Sequence, residues 1–292
     1  MKILILGANG MIGSSIFAVL CSNRNFSVWG ALRKKVSGVP FFDAHSKRLL
    51  AGLDALNINE TDSIVKKIKP QVVINCVGVT KHNQKIFDLA YSIQVNSLFS
   101  HQLAKLCKSI DARLIHISTD CVFKGSKGMY LETDIPDSDD FYGRTKSLGE
   151  LIAYNNAVTL RTSTIGHEIG TCFGLLEWFL SQENKCKGYS RAVFSGLPTI
   201  ILAEIIRDFV IPQTHLNGLY HVASKPIDKF KLLQIISKIY KKNIIIEPDS
   251  HEVIDRSLNY DRFSKATGYI GLEWEEMITM MHERQVESFA NV

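Results

Sequence analysis

Tyr142 and Lys146 stand four positions apart in the segment DDFYGRTKSLGE, residues 139–150. On a helix, residues four apart share a face, so both side chains can reach one ligand lying across the helix start. An ammonium near a phenol favours the phenolate and is expected to lower the tyrosine pKa from its ordinary value of about 10, making Tyr142 a proton donor or acceptor near neutrality. The same lysine can hold ribose hydroxyls. This spacing also occurs in ordinary surface helices, and a third group singles it out. In LIHISTD, Ser118, Thr119 and Asp120 end the strand before this helix, on the ligand side of a parallel sheet. A hydroxyl there can bond a reacting oxygen.

A second chemical feature opens the chain. Gly7-Ala8-Asn9-Gly10-Met11-Ile12-Gly13 has the spacing G-x-x-G-x-x-G between an apolar run, Lys2–Leu6, and apolar residues at helical spacing, Met11–Leu20. Glycines there let backbone amides at a helix N-terminus approach a pyrophosphate with no Cβ in the way. Gly7, Asn9, Gly10, Met11, Ile12 and Gly13 are therefore candidate cofactor contacts. An NAD-type site places an acid near the end of the next strand to bond the ribose 2′-hydroxyl. The sequence there is VWGALRKK, with Arg33 and Lys34 where a 2′-phosphate needs a cationic partner. NADP(H) is expected in preference, with NAD(H) left open.

The elements that must position these groups alternate. The first thirty residues read β-α-β; helix Asp62–Lys69 precedes strand Val72–Val77, and a long helix, Tyr91–Ile110, precedes strand Arg113–Ser118. The helix at Tyr142 is expected to run toward Tyr154, before a strand at Ala157–Arg161. Such alternation predicts an α/β fold with a doubly wound parallel sheet covered on both faces. Past residue 165 strands become rare. GTCFGLLEWFLSQENK, PTIILAEIIRDFVI and KPIDKFKLLQIISKIYKK read as helices, GLYHVA as a strand, and a helix from Glu273 closes the chain. We expect a dinucleotide-binding domain over 1–165 plus about 195–225. A smaller, mostly helical substrate lobe is expected over 166–194 and 226–292, with a cleft between the two.

The 292 residues are 46% hydrophobic and 22% charged, enough apolar material for a sizeable core. The net charge is only +5 and no basic run exceeds Arg33-Lys34-Lys35, so no nucleic-acid partner is indicated and a small anionic ligand fits better. Six cysteines show neither C-x-x-C pairs nor metal spacing with histidine, so no metal site or disulfide framework is expected. No stretch approaches the roughly 18 apolar residues of a membrane span, and a cytoplasmic protein without a membrane partner is expected.

The stretches GANGMIG, KPQVVINCVGVT, VNSLFSHQLAKLC, RLIHISTDCVFKG, YLETDIP, YGRTKSLGE, LRTS, GLPT, GLYHVAS and DRSLNYDRF resemble the extended short-chain dehydrogenase/reductase family, and within it the dTDP-4-dehydrorhamnose reductase group. The resemblance covers nearly the whole chain and is strongest between Arg113 and Glu150. It implies a Rossmann-type fold and NADP(H)-dependent reduction of the C4 ketone of a nucleotide-diphospho-4-keto-6-deoxyhexose, for cell-surface polysaccharide precursors. Thr119 then bonds the carbonyl, Tyr142 protonates it, and Lys146 binds the ribose. Cys76, Val77 and Gly78, after the fourth strand, are candidate cofactor contacts; Thr80 matches a position on the family's substrate side, while His82, in a loop expected to face the cleft, and Asp120, at the strand end, are candidate substrate contacts. A homodimer is left open.

Three departures stand out. Asn57-Ile58 replaces the usual acid-hydrophobic pair at the adenine amine, where the amide oxygen can still accept. Thr164 replaces the aromatic residue of R-T-S-W, leaving room for a UDP-linked 2-acetamido sugar beside the dTDP sugar. Ser138 and Asp140 stand where proline and asparagine are usual. Arg191 is a candidate partner for the substrate diphosphate, while Trp178 reads as small-lobe core and Cys76 and Cys121 as packing residues. Asp120-Cys121 in place of an Asp-Glu pair disfavours 4,6-dehydration. A 4-epimerase and a non-catalytic NADP-binding regulatory subunit are the alternative functions.

Overall fold

The computed structural model describes residues 1–81, 83–169 and 172–290, with side chains through Arg284. Seven parallel strands form the main sheet: β1 (Lys2–Leu6), β2 (Ser27–Leu32), β3 (Leu49–Ala51), β4 (Val72–Asn75), β5 (Arg113–Thr119), β6 (Ala157–Thr162) and β7 (Gly218–His221). Their spatial order is β7-β6-β5-β4-β1-β2-β3. Register follows from the apolar runs, with Ile3, Leu4, Ile5 and Leu6 of β1 opposite Val72, Val73, Ile74 and Asn75 of β4. Successive side chains of β1 enter opposite faces, Ile3 and Ile5 joining one core and Leu4 and Leu6 the other.

Helices cover both faces. On the first lie α1 (Met11–Cys21), through Ile16, Phe17 and Leu20, and helix 199–210, through Leu202 and Ile206. On the second lie α2 (Ile58–Ile68), through Val65, and α3 (helix 89–109), through Val95, Phe99 and Leu103. Because β2 and β3 extend the sheet one way from β1, while β4, β5 and β6 extend it the other, the order reverses between β1 and β4. That is the crevice where ligands of such sheets bind.

Several boundaries differ from expectation for local reasons. The helix α2 starts early because Asn57 caps it, its side chain accepting from the Asn59 amide at 3.2 Å. The helix α4 (Phe141–Leu148) is capped by Asp140, whose Oδ1 accepts from the Gly143 amide at 2.6 Å. It stops at Gly149 rather than running toward Tyr154. A Cβ on Gly149 would lie 2.0 Å from the Asn96 carbonyl oxygen, so this turn packs directly on α3. Within α3, residues Gln94–Leu98 form a π-helical turn, which places Asn96 in the interior.

The C-terminal part has α5 (Leu175–Ser181), α6 (helix 199–210), α7 (Lys229–Ile239), α8 (Asp261–Thr267) and α9 (Trp274–Ala290). It also contains short strands that the sequence pattern does not reveal. Lys185–Tyr189 pairs with Ile245–Asp249, and Ala192–Phe194 pairs with Ile227–Asp228 and Ile254–Asp255. These segments of two to five residues are too short for a periodic signal, and their partners lie far along the chain. Among the described residues, no helix is long and apolar enough to cross a membrane.

Candidate functional site

The glycine turn sits at the mouth of the β1/β4 crevice. Gly7 has φ +78°, and a Cβ there would lie 3.3 Å from the Cys76 carbonyl carbon and oxygen. A Cβ on Gly13 would lie 2.1 Å from the Gly7 carbonyl oxygen, so α1 can start this close to β1 only with glycine. Gly10 is the N-cap of α1 and supplies no side-chain cap, and the first turn carries no acid. The first amides of α1 are thus left for an anion. Asn75 fixes the opposite rim: its Oδ1 accepts from the Val77 amide at 3.1 Å, while its Nδ2 donates to His116 Nδ1 at 3.1 Å.

Arg33 and Lys34 follow β2 directly and are exposed, with no ion pair among the described residues. Asn57 and Ile58 lie at the start of α2, and the Asn57 amide oxygen is engaged as its cap. One lone pair of that oxygen remains for an adenine amine.

Thr119 ends β5, and Lys146 projects from α4 beneath it. Lys146 is buried and donates from Nζ to the Ile117 carbonyl at 2.7 Å. Burial lowers its pKa to about 8, against the pull of Glu150 and Cys76. A Cβ on Gly78 would come within 4.0 Å of Lys146 Nζ and 3.3 Å of Asn96 Oδ1, so the β4 loop closes directly over both. Asn96 clamps that loop: its Oδ1 accepts from the Val79 amide at 2.8 Å, and its Nδ2 donates to the Val79 carbonyl and the Thr145 hydroxyl, each at 3.0 Å. VNSLF carries Asn96 in plain view, but only the π-helical turn directs it inward.

Tyr142 is half-buried, and its phenol departs from the expected direction. Burial raises its pKa above the ordinary tyrosine range, Cys121, Asp120 and Asp140 add to the rise, and the Thr119 hydroxyl opposes it. Lys146 does not reverse this, because its ammonium is itself desolvated and turned to the Ile117 carbonyl. The structure therefore holds a protonated phenol, a donor rather than a phenolate. Burial likewise pushes the Cys76 and Cys121 thiols up to about 12, as suits packing residues.

Beneath the site, Glu150 binds Arg161 of β6 through two bonds of 2.7 Å and accepts from the Ser118 hydroxyl at 2.8 Å. Arg161 also approaches His221 Nε2 at 3.3 Å and lies 5.0 Å from the Phe123 ring centre. This buried set ties the residue just past the α4 C-cap to β5, β6 and β7.

Met11, Ile12, Thr80, Thr119, Asp120, Tyr142 and Thr164 together line one cleft of about 930 Å³. Its outer wall comes from the C-terminal part and includes Trp178, Tyr189, Lys187 and Lys229. Trp178 is 37% exposed and faces this cleft instead of filling a core, because α5 buries Leu176 and Phe179 on its other face. Arg191 does not line the cleft: it is exposed in the turn between Lys185–Tyr189 and Ala192–Phe194. The two strands pair with different partners, and Arg191 sits in the connection between them. His82 lies outside the described residues. Lys81 and Lys229 line this cleft, and the Arg256 charge acts on Lys229; the sequence pattern did not single out any of the three. Among the described residues, no group of three or more His, Cys, Asp or Glu is placed to hold a metal ion.

Residues 1–256 match the family described as RmlD substrate binding domain. The chain is 27% identical over 234 residues to a dTDP-4-dehydrorhamnose reductase of Aggregatibacter actinomycetemcomitans, covering 77% of this chain and 74% of that protein. It is 30% identical over 171 residues to methionine adenosyltransferase 2 subunit beta of Bos taurus, covering 58% of this chain and 48% of that one. In three dimensions it is similar to a dTDP-4-dehydrorhamnose reductase of Bacillus anthracis solved in complex with NADP, with a TM-score of 0.80, 21% identity, and coverage of 97% of this chain and 99% of that one.

Proposed function

The chain belongs to the RmlD substrate-binding-domain family, and on that premise we propose that it is an NADP(H)-dependent oxidoreductase that reduces the C4 ketone of a nucleotide-diphospho-4-keto-6-deoxyhexose. The product serves cell-surface polysaccharide precursors. The observation that carries this reading is the convergence of the Thr119 hydroxyl and the Tyr142 phenol in the cleft that Met11 and Ile12 of the glycine turn also line.

The cradle fits a dinucleotide: Gly7 and Gly13 leave the space that a Cβ would fill, and the uncapped first turn of α1 offers amides to a pyrophosphate. Arg33 and Lys34 would hold a 2′-phosphate, Asn57 the adenine amine, and Lys146 the nicotinamide ribose. NADPH, when bound, supplies the hydride. Thr119 and Tyr142 hold the ketone oxygen, and the phenol, kept protonated by burial, delivers its proton as negative charge develops there. Such a positioned acid contributes about 10²–10⁴-fold in rate. The Thr119 hydroxyl donates its one hydrogen to Asp120 at 3.1 Å while its oxygen accepts from the Cys121 amide, and that hydrogen would turn to the ketone oxygen when substrate binds. Thr164, with no aromatic face, leaves the sugar site open on one side, which favours a 2-acetamido sugar on UDP over the unsubstituted dTDP sugar.

The test is NADPH oxidation followed at 340 nm with a panel of dTDP- and UDP-linked 4-keto sugars. Tyr142→Phe is expected to lose at least about 100-fold in turnover while NADPH affinity holds. Unchanged turnover removes the phenol from the mechanism. The similarity to a methionine adenosyltransferase subunit supports one other reading, a non-catalytic dinucleotide-binding regulator. No oxidation with any sugar, together with a stoichiometric partner in a pull-down, selects that reading.

A further inference from the structure

Part of the cleft carries charge that proton delivery does not use. Lys229 is the first residue of α7 and faces the cleft together with Leu233, one turn later. Its ammonium has no hydrogen bond or ion pair among the described residues. The neighbouring Asp228 is committed elsewhere: it accepts from the Lys231 amide at 2.9 Å and pairs with Lys231 Nζ at 3.3 Å. Lys81, directly after Thr80, lines the same cleft and is likewise unpaired among the described residues. Arg256, whose charge also acts on Lys229, donates from Nε to the Phe123 carbonyl at 2.8 Å, with Nη1 3.8 Å from Cys121 Sγ.

Asp120, whose charge acts on Lys229, already accepts from the Thr119 hydroxyl, and Glu168, which also lines the cleft, accepts from the Phe173 amide at 2.7 Å. Lys187, farther out, is neutralised by Asp249 at 3.0 Å. Burial and the Lys81 charge hold the Lys229 ammonium below the usual lysine range; Arg256 adds to this, and Asp120 and Cys121 oppose it. A half-buried cation facing two like charges and one shared carboxylate is unfavourable by itself. A dianion lodged between Lys81 and Lys229 removes the repulsion and supplies acceptors to both.

We propose that Lys229 and Lys81 clamp the diphosphate of the nucleotide sugar, with the hexose turned inward to Thr119 and Tyr142 and the base outward to Trp178 and Tyr189. This rests on the nucleotide-sugar reading of the cleft. It assigns the diphosphate to two lysines brought together from distant parts of the chain, in place of Arg191, which does not line the cleft. The aromatic outer wall then offers faces on which a pyrimidine can stack.

The experiment is calorimetric titration of UDP and of dTDP into protein saturated with NADP⁺, so that the glycine turn is blocked. Lys229→Gln and Lys81→Gln are each expected to weaken binding about ten-fold or more, while Lys229→Arg stays within about three-fold of the parent and NADP⁺ affinity is unchanged in all three. Binding should also take up protons at alkaline pH, because the dianion restores the Lys229 charge, and this uptake should vanish in Lys229→Gln. Parental affinity for both diphosphates in the two glutamine variants overturns the clamp and leaves the reductase reading intact. A parent protein that binds neither diphosphate and oxidises no NADPH with any 4-keto sugar overturns the reductase reading itself.

Discussion

The Glu150–Arg161 pair permits a quantitative test of what holds the site floor together. Both side chains are buried, their two contacts are 2.7 Å each, and Glu150 also accepts from Ser118 beside the active hydroxyl. Glu150→Leu leaves a buried guanidinium with only His221 and the Phe123 ring for company. Arg161→Met leaves a buried carboxylate with a single serine. Removing one partner of such a pair costs about 3–5 kcal/mol, a large share of the roughly 5–15 kcal/mol that a folded domain has in all. At roughly 2–4 °C per kcal/mol for a large domain, each single variant should melt about 6–20 °C lower.

The double variant Glu150→Leu/Arg161→Met retains no uncompensated charge, so it should melt above at least the weaker of the two single variants. Circular dichroism melts of the four proteins at pH 7 give the coupling energy directly. Single losses below about 1 kcal/mol would show that the pair is replaced by solvent and is not buried as described. Losses that simply add in the double variant would show that the two charges do not depend on each other.

Two further outcomes follow from the cofactor side. Replacing Arg33 and Lys34 together by alanine should weaken NADPH binding about 10–100-fold and NADH binding by less than about three-fold; equal losses for both, measured by fluorescence titration, would remove these cations from the 2′-phosphate. Lys146 should leave a signature in the pH dependence of stability without cofactor. Burial lowers its pKa from 10.5 to about 8, so between those values the unfolded chain keeps a proton that the folded chain has released. Stability contributed at this position therefore rises from about pH 8 to about 10.5 and is flat below. Lys146→Met should lack that rise in urea melts across the range, and a wild-type-minus-variant difference independent of pH would show that the ammonium is not desolvated.

Sequence reading reached farthest where the determining contacts are local. Strand β1, the glycine turn and α1 follow one another within twenty-one residues, and their signals are a short apolar run, three glycines and a helical stripe. Tyr142 and Lys146 share a face because a helix repeats every 3.6 residues. The role of Asn96 was hidden because an α-helical stripe does not reveal a π-helical turn. Apolar spacing on α5 points to Trp178 as core but does not say which of the helix's faces is covered. The short strands of the C-terminal part escaped notice because each is defined by a partner such as Ile245–Asp249 for Lys185–Tyr189, not by its own pattern.

The chain by itself determined the α/β alternation, the pyrophosphate turn and the spacing of phenol and amine, since steric freedom at glycine and the helical repeat act over a few neighbouring residues. Tertiary structure alone decided that burial moves the phenol pKa up and not down, that Arg191 does not line the cleft, and that the charges of Lys81, Asp120 and Arg256 act together on Lys229. Desolvation and Coulomb interaction are sums over everything nearby in space, and residues 81, 120, 229 and 256 become neighbours only after the chain has wound back on itself.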